Sequence, residues 1–315
     1  MNRRIALVSL TSIGLLAISP FLGGGLGDEL GSFVLWQLRF PRALLGLLVG
    51  ATLGLSGAVY QTIFSNPLAT PSTVGTTAGA SLGVLAALVL WPGVLIGGTP
   101  LVAFAAFGGA LLVTLLIASI AASGRARVED VLLVGIGITL ASSAVYTGLQ
   151  FQADMSATFQ AVRWSLGSLD TVGYGEVLVL LPFVVLTIAA LLLQIRAMET
   201  LAGGDERAHS QGVNVVQTRT IGLGMGALGV GACVALCGPI AFVGLLVPHL
   251  VRLLLSANRR ILLPMSALVG GAFLTICDAV ARVALPGRNL PVGVLTAALG
   301  APLLIWLVVR QPSGR

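Results

Sequence analysis

The chain has 315 residues, 57% hydrophobic and only 9% charged, with a mean hydropathy of +1.03 and a formal net charge of +6. Stretches of about 20 residues that are apolar all round recur along it, which excludes a soluble protein whose helices need a polar face for water. All seventeen basic residues counted as Lys plus Arg are arginines, so the phosphate loop Gly-x-x-x-x-Gly-Lys-Ser/Thr is absent and the chain is not by itself an ATPase of that kind.

The first apolar run, 4 to 21, follows the basic pair Arg3 and Arg4. Ala17-Ile18-Ser19 has the character of a signal cleavage site, but removal there would put the new amino terminus outside, and the segment is read as a retained first helix. Nine further spans follow near 43 to 63, 73 to 92, 100 to 122, 131 to 150, 176 to 195, 219 to 236, 239 to 256, 261 to 284 and 290 to 310. Pro and Gly inside them predict short or kinked helices, which membranes tolerate where neighbours take up the freed backbone groups. The expectation is an all-α polytopic membrane protein of about ten helices. With the amino terminus inside, twelve arginines are cytoplasmic and five outside, which places both termini in the cytoplasm.

Four of the five outward arginines flank helix ends: Arg39 and Arg42, then Arg282 and Arg288. Their stems can snorkel to lipid headgroups, or their guanidinium groups can pair bidentately with an acidic partner. Asn66, Pro67 and Leu68 end the second span, where proline forbids simple helical continuation. The fifth span carries Gly135, Thr139, Ser142, Ser143 and Tyr146 at spacings that bring several to one face, fit either for a polar passage or for close helix packing. Between the sixth and seventh spans, the charged, Gly-rich stretch 201 to 214 reads as a cytoplasmic loop.

Asp278 is a carboxylate well inside a span, and pairing with Arg282 at i,i+4 is its simplest account. Cys233, Cys237 and Cys277 lie in apolar segments and read as structural thiols. His249 lacks a neighbour at metal-ligand spacing, so no metal site is expected, and no catalytic constellation supports an enzyme. A secondary transporter driven by an ion gradient is the alternative of a different class; it would ordinarily carry acids or polar breaks near the midplane.

From Arg39-Phe40-Pro41-Arg42 onward the sequence resembles the FecCD family of iron-chelate and cobalamin importer permeases. The resemblance runs through Leu48-Val49-Gly50-Ala51, Leu55-Ser56-Gly57-Ala58, Gln61, Asn66-Pro67-Leu68-Ala69 and Pro71. Its most specific block is Gly238-Pro239-Ile240-Ala241-Phe242-Val243-Gly244-Leu245-Leu246-Val247-Pro248-His249, followed by Leu290-Pro291-Val292-Gly293-Val294-Leu295-Thr296 and Leu299-Gly300-Ala301-Pro302.

The resemblance implies a type II ABC importer permease fold in a single permease domain, 1 to 315, set in the bacterial cytoplasmic (inner) membrane. It implies a second permease copy or paralogue, two ABC ATPase subunits and an extracytoplasmic substrate-binding protein as partners, beside membrane lipid and without nucleic acid. No cofactor is then bound by this chain, ATP and Mg being held by the partner ATPase. By the same resemblance Arg39, Arg42 and Arg282 dock the binding protein, to which topology adds Arg288; Asn66, Pro67 and Leu68 gate the inner side; and Thr139, Ser142, Ser143 and Thr296 line the pathway. A coupling segment near 197 to 218, two short helices in the family, would present Gly204, Asp205, Glu206, Arg207, Ala208, Gly212 and Val213 to the ATPase. It departs from the family pattern at Gly203 and Gln211, where leucines are usual, at Asp205, where glutamate is, and at His209, where arginine is common. The expected cargo is a ferric siderophore, with haem or cobalamin as alternatives.

Overall fold

The computed structural model describes residues 2–23, 30–96, 99–122, 128–284 and 289–310. In chain order the helices are α1 (Asn2–Ile18), the single turn α2 (Gly31–Phe33), α3 (Phe40–Ile63), α4 (Thr76–Leu90), α5 (Leu101–Ala122), α6 (Val128–Gln152) and α7 (Met155–Ser165). They continue with α8 (Gly175–Leu193), α9 (Ile195–Leu201), α10 (Asp205–Ser210), α11 (Val215–Cys237), α12 (Val243–Leu254), α13 (Arg259–Ala284) and α14 (Val292–Arg310). A two-residue antiparallel ribbon, β1 (Leu95–Ile96) with β2 (Thr99–Pro100), turns the chain between α4 and α5.

Among the described residues, seven helical segments are long and apolar enough to cross a membrane, and Thr76–Leu90, Val243–Leu254 and Val292–Ile305 are shorter apolar helices. Together they correspond to the ten expected spans. Two of the short ones are short because a non-helical lead-in precedes them. Before α4, the segment 64–75 satisfies its own backbone: Leu68 N donates to Asn66 Oδ1 at 2.9 Å, Thr70 N to Thr73 Oγ1 at 3.0 Å and Thr76 N to Pro71 O at 3.3 Å. Before α12, residues 238–242 run non-helically until Phe242, whose φ of +67° is a left-handed conformation at a bulky residue. Irregular backbone of this sort persists at membrane depth only where protein encloses it, and Ala69, Thr70, Gly238 and Ile240 are buried.

The core is built around α3, buried at every residue from Val49 to Ile63. Lipid tails are as apolar as leucine, so packing rather than exclusion from water must hold such a helix. Small residues one turn apart supply that packing. A Cβ on Gly50 would overlap the carbonyl of Gly270 on α13, and one on Gly57 the carbonyl of Gly244 on α12. Fully buried Tyr60 adds a fixed point, its hydroxyl donating to Leu223 O on α11 at 2.9 Å.

The outer helices are the reverse case. α6 leaves Leu133, Ile136 and Leu140 exposed, and α8 leaves Leu178 and Val185 exposed, as lipid- or partner-facing surfaces do. Within the connection from the fifth to the sixth span the structure adds α7, whose N-cap Asp154 accepts from Ala157 N at 2.7 Å.

Candidate functional site

Three groups of side chains are positioned along α3, at its first turn, beside its middle and at its last turn. At the first turn Pro41 has no N–H to give the carbonyl one turn back, that of Gln37, and the chain over Val34–Arg39 is wound as a π-helix. Gln37 O instead accepts from Gly173 N at 2.7 Å, which ties the α7–α8 connection to this end of the bundle. Arg42 lies beside it and is 7% exposed. Its Nε donates to both oxygens of Asp278 at 2.8 Å, and its Nη1 to Asp170 Oδ1 at 2.5 Å.

Asp278 is buried near the end of α13, and Arg42 rather than Arg282 is its principal partner. Arg282 Nε stands at 3.5 Å from Asp278 Oδ2, while its Nη2 donates to Ser19 O at 3.0 Å. Arg39, also buried, donates to the carbonyls of Pro20 at 3.4 Å and Gly23 at 3.3 Å. Two arginines and two aspartates thus balance in charge at this end, with Arg39 next to them. Arg288 lies outside the described residues.

Beside the middle of α3 is a cavity of about 260 Å³ whose lining includes Leu53, Leu68, Thr70, Thr73, Thr77 and Phe242. Leu68 is half exposed on the turn that Asn66 closes, with Pro67 between them also exposed. The hydroxylated residues of α6 separate. Thr139 bonds back to Gly135 O at 2.8 Å and lies against Gly75, Ser142 is buried, and Ser143 is exposed. Thr296 is fully buried on α14, its hydroxyl donating to Gly293 O at 3.0 Å.

At the last turn of α3 the chain between α8 and α11 projects as two short helices. Met198, Leu201 and Ala208 are buried anchors, while Gly203, Gly204, Asp205, Glu206, Arg207, His209, Gln211 and Gly212 are exposed. Gly204 (φ +101°) and Gly212 (φ +76°) take the left-handed turns on either side of α10. Val213 N returns to Ala208 O at 2.9 Å, Asp205 pairs with Arg219 at 2.8 Å, and Asn214 caps α11 through Gln217 N.

The projection is fastened to the bundle by residues that sequence reading did not assign. Glu199 Oε2 on α9 accepts from Arg259 N at 2.5 Å; beyond this tie, Arg259 Nε joins α13 to α3 by donating to Thr62 at 3.2 Å, and Arg252 joins α12 to α3 by donating to the Gln61 side chain. Asp170 was likewise overlooked at the opposite end. A lone carboxylate in a connection facing several arginines was the available signal.

Comparisons with known proteins identify the family of the chain. A model of the FecCD transport family matches residues 6–310. The chain is 40% identical over 281 residues to the cobalamin import system permease protein BtuC of Halobacterium salinarum, covering 89% of this chain and 74% of that protein. It is 37% identical over 284 residues to the hemin transport system permease protein HmuU of Yersinia pestis, covering 89% and 84% respectively. It superposes with a TM-score of 0.86 at 29% identity on a metal-chelate type ABC transporter solved in an inward-facing conformation, covering 98% of this chain and all of that one. Matched almost end to end, the chain belongs to the FecCD transport family and is a permease subunit of an ABC importer, a transport subunit rather than an enzyme.

Proposed function

We propose that this permease forms the bilayer passage for a large metal chelate of the corrinoid or porphyrin kind, cobalamin first and haem second. The observation that carries the choice is the 40% identity to a cobalamin import permease across 89% of the chain. The ferric siderophore expected from sequence yields to that kinship. The protein sits in the cytoplasmic membrane with both termini inside, in agreement with the arginine distribution. It pairs with a second permease copy or paralogue, which meets the exposed face of α6, and with two ATPases that bind Mg and ATP.

In this reading the end of the bundle with Arg39, Arg42 and Arg282 faces outward and receives acidic residues of a substrate-binding protein. Asp170 occupies part of Arg42 until docking exchanges one carboxylate for another. Leu68, held by Asn66 and Pro67, narrows the inner side of the passage, exposed Ser143 lines its wall while Thr139, Ser142 and Thr296 support it from behind, and α10 seats in the ATPase. Support comes from the exposed face of Gly204, Asp205, Glu206 and Arg207 over buried Ala208.

The test is complementation of a bacterium lacking its own cobalamin permease, with uptake of radiolabelled cobalamin, haem and a ferric siderophore measured in parallel in proteoliposomes holding the co-encoded ATPase and binding protein. Cobalamin uptake that depends on ATP supports the reading, and uptake of the siderophore alone overturns the substrate. Transport by the chain alone under a proton gradient overturns the mechanism.

A further inference from the structure

Arg3, Arg4, Leu7 and Val8 occupy neighbouring positions on α1, at the three- and four-residue spacings that put side chains on one face. With Leu253 and Leu254, the last residues of α12, they line a cleft of about 350 Å³. Both arginines are exposed, and among the described residues neither forms a salt bridge. Leu7 and Leu253 are each more than 60% exposed in the cleft wall.

From this juxtaposition of two free guanidinium groups and an apolar floor we infer a binding site for an anionic phospholipid, its phosphate held by Arg3 and Arg4 and an acyl chain laid along Leu7, Val8, Leu253 and Leu254. Guanidinium presents paired donors that match phosphate oxygens. A free phosphate would use the arginines and leave the leucines uncovered; a neutral lipid would cover the leucines and leave two cations unpaired. Basic clefts between helix ends at the cytoplasmic surface suit anionic headgroups, and the assignment of this cleft to the inner leaflet rests on the orientation proposed above. The cleft also explains a surface that internal packing leaves bare, since α1 leans on the bundle chiefly through α13, with Ser9 Oγ 3.8 Å from Met265 Sδ.

The experiment measures phosphatidylglycerol retained by the detergent-purified permease against excess phosphatidylcholine, by native mass spectrometry. Wild type is expected to keep a phosphatidylglycerol adduct. Arg3→Gln/Arg4→Gln is expected to weaken it roughly thirtyfold, the equivalent of about 1 kcal/mol for each of the two basic residues near an anionic headgroup. Leu7→Trp fills the cleft with both arginines in place and is expected to expel the lipid; Leu254→Trp serves if Leu7→Trp does not fold. Retention undiminished in the filled variant would mean diffuse attraction to the basic terminus and would overturn the site. Displacement of the lipid by inorganic phosphate would identify a plain anion site and overturn it equally. Side-specific labelling of Gln211→Cys in intact cells reports orientation separately, so an error in topology cannot be mistaken for a missing lipid site.

Discussion

Arg42 Nη1 lies 2.5 Å from Asp170 Oδ1, although 128 positions separate the two residues. Their contact fixes the α7–α8 connection to the start of α3. In the same connection Gly167 O accepts from Gly293 N at the start of α14, and Ser168 N donates to Cys237 O at the end of α11. One short stretch of chain therefore joins three membrane helices at the end of the bundle where a docking protein is proposed to act.

The two carboxylates on Arg42 should differ in weight. Asp278 is almost wholly buried, and Asp278→Asn leaves a buried arginine short of charge, expected to cost about 3–5 kcal/mol in unfolding. The Asp170 side chain is 46% exposed, so solvent screens its pair, and Asp170→Asn should cost under about 1 kcal/mol. Thermal unfolding in nanodiscs ranks the two. The opposite order would mean that Asp170, not Asp278, holds Arg42 in place.

Helix contact at Gly50 permits no side chain. Gly50→Val should destabilise by more than about 3 kcal/mol, because the new Cβ meets the backbone of α13 and neither helix can move aside within the core. Gly14→Ala on α1, where nothing stands within 4 Å, should be neutral or stabilise by up to about 1 kcal/mol through helix propensity. Equal effects in a melting assay would show that the α3–α13 approach is not what holds the core.

On the projecting segment, anchoring and surface residues should separate cleanly. Ala208→Glu forces a charge into the seat of α10 and is expected to abolish co-purification of the ATPase. Asp205→Ala removes a half-exposed pair with Arg219, so it should change stability by under about 1 kcal/mol while weakening co-purification of the ATPase that its exposed face is proposed to meet. Undiminished co-purification of the ATPase by Asp205→Ala would take Asp205 out of the proposed contact.

Along α6 the adjacent serines offer a probe of the proposed passage. Ser143→Cys, at an exposed position, should react with a water-soluble maleimide in the assembled transporter, whereas Ser142→Cys, 8% exposed within the chain, should not. Mass shifts after labelling read this directly. Reaction at Ser142→Cys alone would move the passage to the other face of α6.

How far residues alone carried the reading depends on the range of the force involved. Apolar length and the want of lysine determine a multi-span chain without a phosphate loop, because both are properties of single segments. Proline and glycine predict short or kinked helices for the same local reason, yet the spans drawn from 73 and from 239 include non-helical residues ahead of α4 and α12. α7 went unseen because an amphipathic helix of 11 residues has no apolar run to betray it.

Asp278 shows where locality ends. Its i,i+4 neighbour Arg282 was the partner visible along the helix, yet Arg42, 236 residues away in sequence, lies closer, because the glycine contact of α3 with α13 draws their ends together. Composition and pattern by themselves determined that the chain spans the membrane and which segments do so. Only the packed structure decided which charges neutralise one another, since a guanidinium withdrawn from water must take whatever carboxylate the folded backbone brings within reach.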